Sequence, residues 1–352
     1  MSTITPYAGA YTLADEGVHP VGNDNPDWSE SFFFSFFDDA AGVGGAFRVG
    51  QELNNGTGNC WYGIMSAAGW RYLHNGQDYP ITDADRTEHG LGIAWDNGSS
   101  HLVFDDQGVG RFTARCEDTA IDLRIENYHP MSALWPIGED GIHGHVEQTM
   151  AYGHYEGSGR ATGTLTANGK TFEIDALCHR DHSWGPREWK GFTGHRWVVG
   201  SLGEELSFSG LVAITSAGDE TTGGVVQGGF IARGDDVEFI EHLDCILNLE
   251  PDGLTYRGGW STFYLPGGQK LYLEFEPVNA VVFTIRDRFY METAQLCRAS
   301  DENGRTGYCY LEASLNTRMG QFPVQHLISA TVQEGYSEID RDALPGKLSG
   351  LS

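Results

Sequence analysis

Between Cys178 and Trp189 the sequence reads Cys-His-Arg-Asp-His-Ser-Trp-Gly-Pro-Arg-Glu-Trp, which sets two imidazoles, two carboxylates, two guanidiniums and two indoles within twelve residues. Neighbouring aspartate and histidine can carry protons near neutral pH, because unlike surroundings push adjacent titrating groups apart. Asp181 and His182 are the candidate acid and base, in either order. Trp184 is the candidate aromatic wall, able to hold a cationic stage by its attraction to a ring face. Arg180 and Arg187 suit carboxylate partners, either across a junction of elements or at the substrate. Gly185-Pro186 predicts a sharp turn that leaves these side chains at a strand end or barrel mouth.

A second group of histidines stands upstream. In His143-Gly144-His145, alternation would put both imidazoles on one strand face with Glu147, where a divalent metal could bridge them. No further ligand spacing supports a metal, so we read a polar strand face near a pocket, with Glu147 as an additional acid–base group. Tyr155 and the adjacent His154 belong either to the pocket lining or to a surface hairpin. Among Trp61, Tyr62, Trp70, Tyr72, Trp95 and Trp197 most are core, but an apolar cavity needs some of them as lining, and Trp61 and Trp95 are the candidates. Glycine runs such as Gly42-Val43-Gly44-Gly45 lack the strand-to-helix setting of a phosphate loop, and there is no Gly-x-Ser-x-Gly elbow. Nucleotide binding and elbow-type serine hydrolysis drop out. The chemistry requires neither a metal nor another cofactor.

The elements that position these residues are strands. Apolar and polar residues alternate at period two between Gly, Asn and Asp breaks, and helical periodicity is nearly absent. In Ala120 to Glu126, Ile121, Leu123 and Ile125 share one face and Asp122, Arg124 and Glu126 the other. This run pairs with Gly110 to Glu117 as a hairpin. Asn168-Gly169 predicts a second hairpin, between Arg160–Thr166 and Thr171–Cys178. Further strands are expected at 31–38, 101–105, 146–152, 196–201, 206–214, 224–232, 237–247, 253–260, 269–275, 281–286 and 307–313. About fifteen strands are too many for one small barrel of about eight, so the sequence predicts an all-β chain of two packed antiparallel units. We place their boundary at residues 1–185 and 186–352.

Composition narrows the partners. The 352 residues hold 22 Lys+Arg against 49 Asp+Glu, a formal charge of −27, which disfavours nucleic acid and anionic membranes. Only four lysines occur, Lys170, Lys190, Lys270 and Lys347, so the positive charge sits on arginine and suits fixed pairs. Six scattered cysteines without a CxxC pair read as reduced, buried small hydrophobes. No signal peptide is visible at the N-terminus, and no stretch approaches the roughly 20 apolar residues of a membrane span. The expectation is a soluble cytoplasmic protein acting on a small hydrophobic substrate. Exposed strand edges leave a homodimer open.

Arg180-Asp181-His182-Ser183-Trp184-Gly185-Pro186-Arg187 resembles the RDHSWGxR signature of the AttH-like and hydroxyneurosporene-synthase-like proteins, which include carotenoid 1,2-hydratases and kievitone hydratase. Tyr155-Glu156-Gly157-Ser158-Gly159-Arg160-Ala161-Thr162-Gly163-Thr164 and Trp28-Ser29-Glu30-Ser31-Phe32-Phe33-Phe34 are similar to two other stretches of that family. The resemblance implies two lipocalin-like β-barrel domains packed around an apolar pocket, with His182 and Trp184 at positions the hydratases need. Those enzymes also use a Tyr-x-Asp pair, and at the comparable place this chain has Ser209 and Leu211, which leaves the second acid open. The function implied is a hydro-lyase that hydrates an isoprenoid alkene or dehydrates its tertiary alcohol by acid–base catalysis through a carbocation-like stage. The alternatives are a lipocalin-like carrier without chemistry, and an isomerase or cyclase using the same cation without water.

Overall fold

A computed structural model describes Tyr7 and residues 11–136, 151–187, 192–215, 225–249, 256–285, 290–316 and 335–338. The chain is all-β: among the described residues there are three short 3-10 turns and no α-helix. In chain order the strands are β1 (Trp28–Asp38), β2 (Val43–Glu52), β3 (Thr57–Ser66), β4 (Trp70–Pro80), β5 (Arg86–Thr87), β6 (Gly90–Trp95), β7 (Gly98–Phe104), β8 (Gly110–Cys116), β9 (Thr119–Asn127), β10 (Gly153–Ala167) and β11 (Lys170–Pro186). They continue as β12 (Phe192–Leu202), β13 (Leu206–Thr215), β14 (Val225–Arg233), β15 (Asp236–Phe239), β16 (His242–Leu249), β17 (Tyr256–Tyr264), β18 (Lys270–Ile285), β19 (Tyr290–Asp301), β20 (Thr306–Asn316) and β21 (Gly335–Glu338).

They form two curled antiparallel sheets, as expected of packed lipocalin-like barrels. The first has the order β21-β4-β3-β2-β1-β11-β10-β9-β8-β7-β6-β5, the second β15-β14-β13-β12-β20-β19-β18-β17-β16. The late strand β21 thus returns to the first sheet, beside β4.

Burial explains which strands alternate. β8 and β9 cover the first core with one face only, so Ile121, Leu123 and Ile125 are buried while Asp122, Arg124 and Glu126 are exposed. β1 is buried at every position. Its Phe32, Phe34 and Phe36 enter the core of the first barrel, whereas Phe33 and Phe37 enter an apolar layer between the sheets with Trp61, Leu73, Trp197, Phe283 and Tyr310. A separate core fills the second sheet around Phe208, Phe263 and Leu311. Polar contacts also join the sheets: Asn279 donates to the Ser66 carbonyl at 2.9 Å, and Arg298 pairs with Asp39 at 2.6 Å. None of the six cysteines forms a disulfide.

The hairpin at Asn168-Gly169 forms as expected, with φ of 51° and 69° at the two turn residues. The motif segment departs from expectation. Arg180 to Pro186 is no turn at a strand end but the continuation of β11, paired with β1 as far as Pro186 and with β10 as far as Trp184. Gly185 accommodates this at φ 125°, where the Tyr152 amide lies 2.5 Å from the position of a β-carbon. His143, His145 and Glu147, and most of the strand expected at 146–152, lie outside the described residues. No helix of the described residues is long and apolar enough to cross a membrane.

Candidate active site

Because β11 is a central strand, paired on both sides, its side chains alternate between two compartments. Arg180, His182 and Trp184 point into the end of the first barrel. Asp181 and Ser183 point to the space between the sheets.

The barrel-side compartment is a closed charge network. Arg180, 1% exposed, binds Glu16 through both terminal nitrogens at 2.7 and 3.2 Å, and its guanidinium covers the Phe104 ring. Glu16 also accepts from the Tyr7 hydroxyl at 2.7 Å. His182 lies 2.6 Å from Glu30 through Nε2, and its Nδ1 is 3.2 Å from the Tyr155 hydroxyl and 3.8 Å from Glu16. His19 reaches the same Glu30 oxygen at 2.9 Å and stacks on Trp184, centroids 3.5 Å apart. Burial pushes the His182 proton affinity down, but Glu16 and Glu30 overcome it and raise the pKa to about 9. Burial likewise works against ionised Glu16, and Arg180 with His182 still holds it down to about 2. Both are therefore charged at neutral pH, and His182 is only 2% exposed.

The other compartment is open to a ligand. A cavity of about 80 Å³ lies between the sheets. Phe33, Arg48, Trp61, His154, Asp181 and Arg187 line it from the first sheet and its edge. His195, Trp197, Leu211, Glu292 and Glu312 line it from the second, with Leu134 and Trp135 from a connecting segment. Phe33 packs at 4.9 Å on Trp197 and 6.2 Å on Trp61, which builds an aromatic wall from both sheets. His154 stands 3.5 Å from Asp181 and 3.2 Å from Glu156. Burial, with Glu156 nearby, raises the Asp181 pKa against the pull of His154, Arg187 and Arg48. Burial also lowers the His154 pKa, although Asp181 opposes it. The result is a carboxyl biased toward holding a proton beside an imidazole biased toward its neutral form. Arg187 is fixed by a 2.7 Å bond to Ser183, and Arg48 by a 2.7 Å bond to Asn59.

The structure thus brings Asp181, Arg187 and Trp61 together and separates them from Arg180, His182, Trp184 and Tyr155. Asp181 and His182 do not form one acid–base pair in one pocket, since period-two alternation sends adjacent residues to opposite faces. Trp95 joins neither group; it stacks on His74 and Tyr79, each at 5.0 Å, in the first barrel. Leu211 lines the cavity, and Ser209 donates to Glu156 beneath it. The sequence reading missed Glu16, His19 and Glu30, which complete the barrel-side network, and Arg48, His195, Glu292 and Glu312 at the cavity. An acid inside a buried apolar strand is the signal that marks Glu30, Glu292 and Glu312, because burial is costly without a partner.

Among the described residues, three groups bring one His and two acids, or two His and one acid, within 4.8 Å: His19–Glu30–His182, His154–Glu156–Asp181 and His195–Glu292–Glu312. The last two face the region that also holds the Arg48 and Arg187 guanidiniums, and this positive charge works against a divalent cation there.

A family model described as a domain of unknown function (DUF7064) matches residues 12–317. The chain belongs to that family. The DUF7064 match takes in every described strand but β21, and every residue lining the cavity. No curated protein matches the chain in sequence. Solved structures do match in fold. A putative AttH from Nitrosomonas europaea has a TM-score of 0.58 at 12% identity, covering 89% of this chain and 99% of its own. CghA, solved with Sch210972, gives 0.59 at 11% identity over 83% and 89%. Kievitone hydratase from Nectria haematococca gives 0.53 at 10% identity over 89% and 97%. The DUF7064 chain therefore has the AttH-like fold suggested by Arg180–Arg187.

Proposed function

We propose that this chain is a cofactor-independent hydro-lyase, with its reaction in the cavity between the sheets. It adds water to the alkene, or removes it from the tertiary alcohol, at one end of a hydrophobic isoprenoid-type substrate. The observation that carries the reading is Asp181 beside His154 on an otherwise aromatic cavity wall. A raised carboxyl and a neutral imidazole in contact supply a proton donor and acceptor near neutral pH. Trp61, Trp197 and Phe33 offer ring faces for a cationic stage. The fold shared with kievitone hydratase, an enzyme named for hydration, points the same way. A cavity of about 80 Å³ suits the reactive end group of such a molecule rather than a whole chain.

In this reading Asp181 and His154 handle the proton of the water. Arg180, His182 and Trp184 are positioning residues: they fix β11 from the barrel side, so that Asp181 meets the cavity at a set angle. The test is incubation with a panel of acyclic terpenoid alcohols and alkenes, with products detected by gas chromatography. Interconversion of an alkene and its tertiary alcohol supports the proposal. Tight binding across the panel with no product would make the protein a carrier instead.

A further inference from the structure

Glu292 and Glu312 stand on neighbouring strands, β19 and β20, and both line the cavity. Their surroundings differ. Glu312 has both oxygens engaged: His195 lies 2.7 Å from Oε1, and the Tyr310 hydroxyl donates to Oε2 at 2.5 Å. Tyr290 and Ser314 hold the other His195 nitrogen at 3.0 and 2.7 Å, so this pair is a fixed structural unit. Glu292 is equally buried, 4% exposed, yet no described residue hydrogen-bonds its carboxyl. The charged groups around it are Glu312 on β20, Arg48 on β2 and Arg187 after β11, with a His195 nitrogen within 4.8 Å.

A buried carboxyl without a hydrogen bond is held in its neutral form. Burial, then the Glu312 charge, raises the Glu292 pKa well above the ordinary range, against Arg48 and Arg187. Such a group is biased toward holding a proton, and it lines the cavity that a ligand would enter. The two guanidiniums would stabilise the carboxylate left behind. It faces the aromatic wall from the second sheet, whereas Asp181 does so from the first.

We propose that Glu292 is the proton donor of this site, acting across the cavity from Asp181. This rests on the acid–base reading above and supplies its second acid. In hydration the Glu292 O–H bond breaks and a C–H bond forms at the less substituted alkene carbon, leaving a tertiary cation between the rings. Water then forms the C–O bond, and its surplus proton passes to the neutral imidazole of His154 beside Asp181. Exchange with solvent returns Glu292 and His154 to their starting states. Dehydration runs the same steps backwards.

Infrared spectroscopy of the wild-type protein at pH 7, compared with Glu292→Gln, tests the proton directly. The expected result is a carboxylic-acid carbonyl band that the variant lacks, and that titrates in the wild type only above the ordinary carboxylate range. On any terpenoid the wild type converts, Glu292→Gln should lower kcat about 10²–10⁴-fold. Binding of the neutral fluorophore N-phenyl-1-naphthylamine should be unchanged, and Glu292→Asp should restore part of the rate. An ionised Glu292 at pH 7, or full turnover by Glu292→Gln, would overturn the proposal. If the wild type converts no terpenoid, the reaction assignment falls, and the infrared result still decides whether Glu292 carries the proton.

Discussion

Asp181 and His182 are consecutive in the chain and occupy separate compartments: Asp181 lines the cavity between the sheets 3.5 Å from His154, while His182 is sealed in the first barrel 2.6 Å from Glu30. One strand therefore carries a cavity-lining face and a set of buried charges back to back, and substitutions at the two residues should fail differently.

Asp181→Asn keeps the shape of the side chain and removes its titration. Turnover should fall about 10²–10⁴-fold with the melting temperature near wild type. His182→Ala leaves Glu16 and Glu30 each short of a partner in a dry site, which should cost on the order of 3 kcal/mol. Calorimetry of both variants beside an activity assay separates the roles. Equal loss of activity and no loss of stability in His182→Ala would show that His182 does chemistry.

The same network sets a pH dependence of stability. His182 is raised from an ordinary 6.5 to about 9, so its contribution is complete below pH 6.5 and disappears as pH rises through 9. Glu16 is lowered from 4.5 to about 2, so its contribution is complete above pH 4.5 and is lost as pH falls through 2. The raised carboxyls of Asp181 and Glu156 also lose their stabilisation as pH rises. The melting temperature should peak near pH 4.5–6.5 and decline toward pH 9.5. His182→Gln should flatten the alkaline decline, and a slope unchanged by that substitution would count against the assignment.

Arg180 and Glu16 tie the N-terminal segment to the barrel. Arg180→Lys keeps the charge but cannot reproduce the two-nitrogen contact with Glu16, and should destabilise by about 1–3 kcal/mol. Hydrogen exchange should quicken at Leu13–Glu16, where the 3-10 turn depends on that anchor. Exchange equal to wild type would mean that Tyr7 and Tyr155 hold the segment without Arg180.

Tryptophans divide by compartment. Trp197→Ala opens the cavity wall and should weaken binding of a neutral apolar fluorophore, whereas Trp95→Phe keeps an aromatic stack on His74 and should leave it unchanged. Fluorescence titration of the two variants decides the point. Equal weakening would place a ligand inside the first barrel.

The all-β character was legible because β8, β9 and the ends of β10 and β11 each cover one core with one face, which leaves alternation in the sequence. Strands buried on both faces give no such period. β19, Tyr-Met-Glu-Thr-Ala-Gln-Leu, passed unmarked for that reason, and with it Glu292. β2 was hidden by glycines that close packing requires: a β-carbon on Gly44 would stand 2.3 Å from the Phe36 carbonyl and 2.9 Å from Leu296 of the other sheet. The motif Arg180–Arg187 was visible as chemistry, but its division into two faces was not, since Gly185-Pro186 looked like a turn. Its partners Glu16, His19 and Glu30 come from more than 150 residues away and share no local pattern with it.

In the proposed reaction water is added or removed in the cavity, with Asp181 and His154 handling its proton. The most direct measurement is a wild-type reaction in ¹⁸O-labelled water with an alkene from the panel, repeated with Asp181→Asn. Labelled tertiary alcohol is expected from the wild type and almost none from the variant. An unlabelled isomeric or cyclised product from the wild type, or labelled alcohol at the same rate from Asp181→Asn, would contradict it.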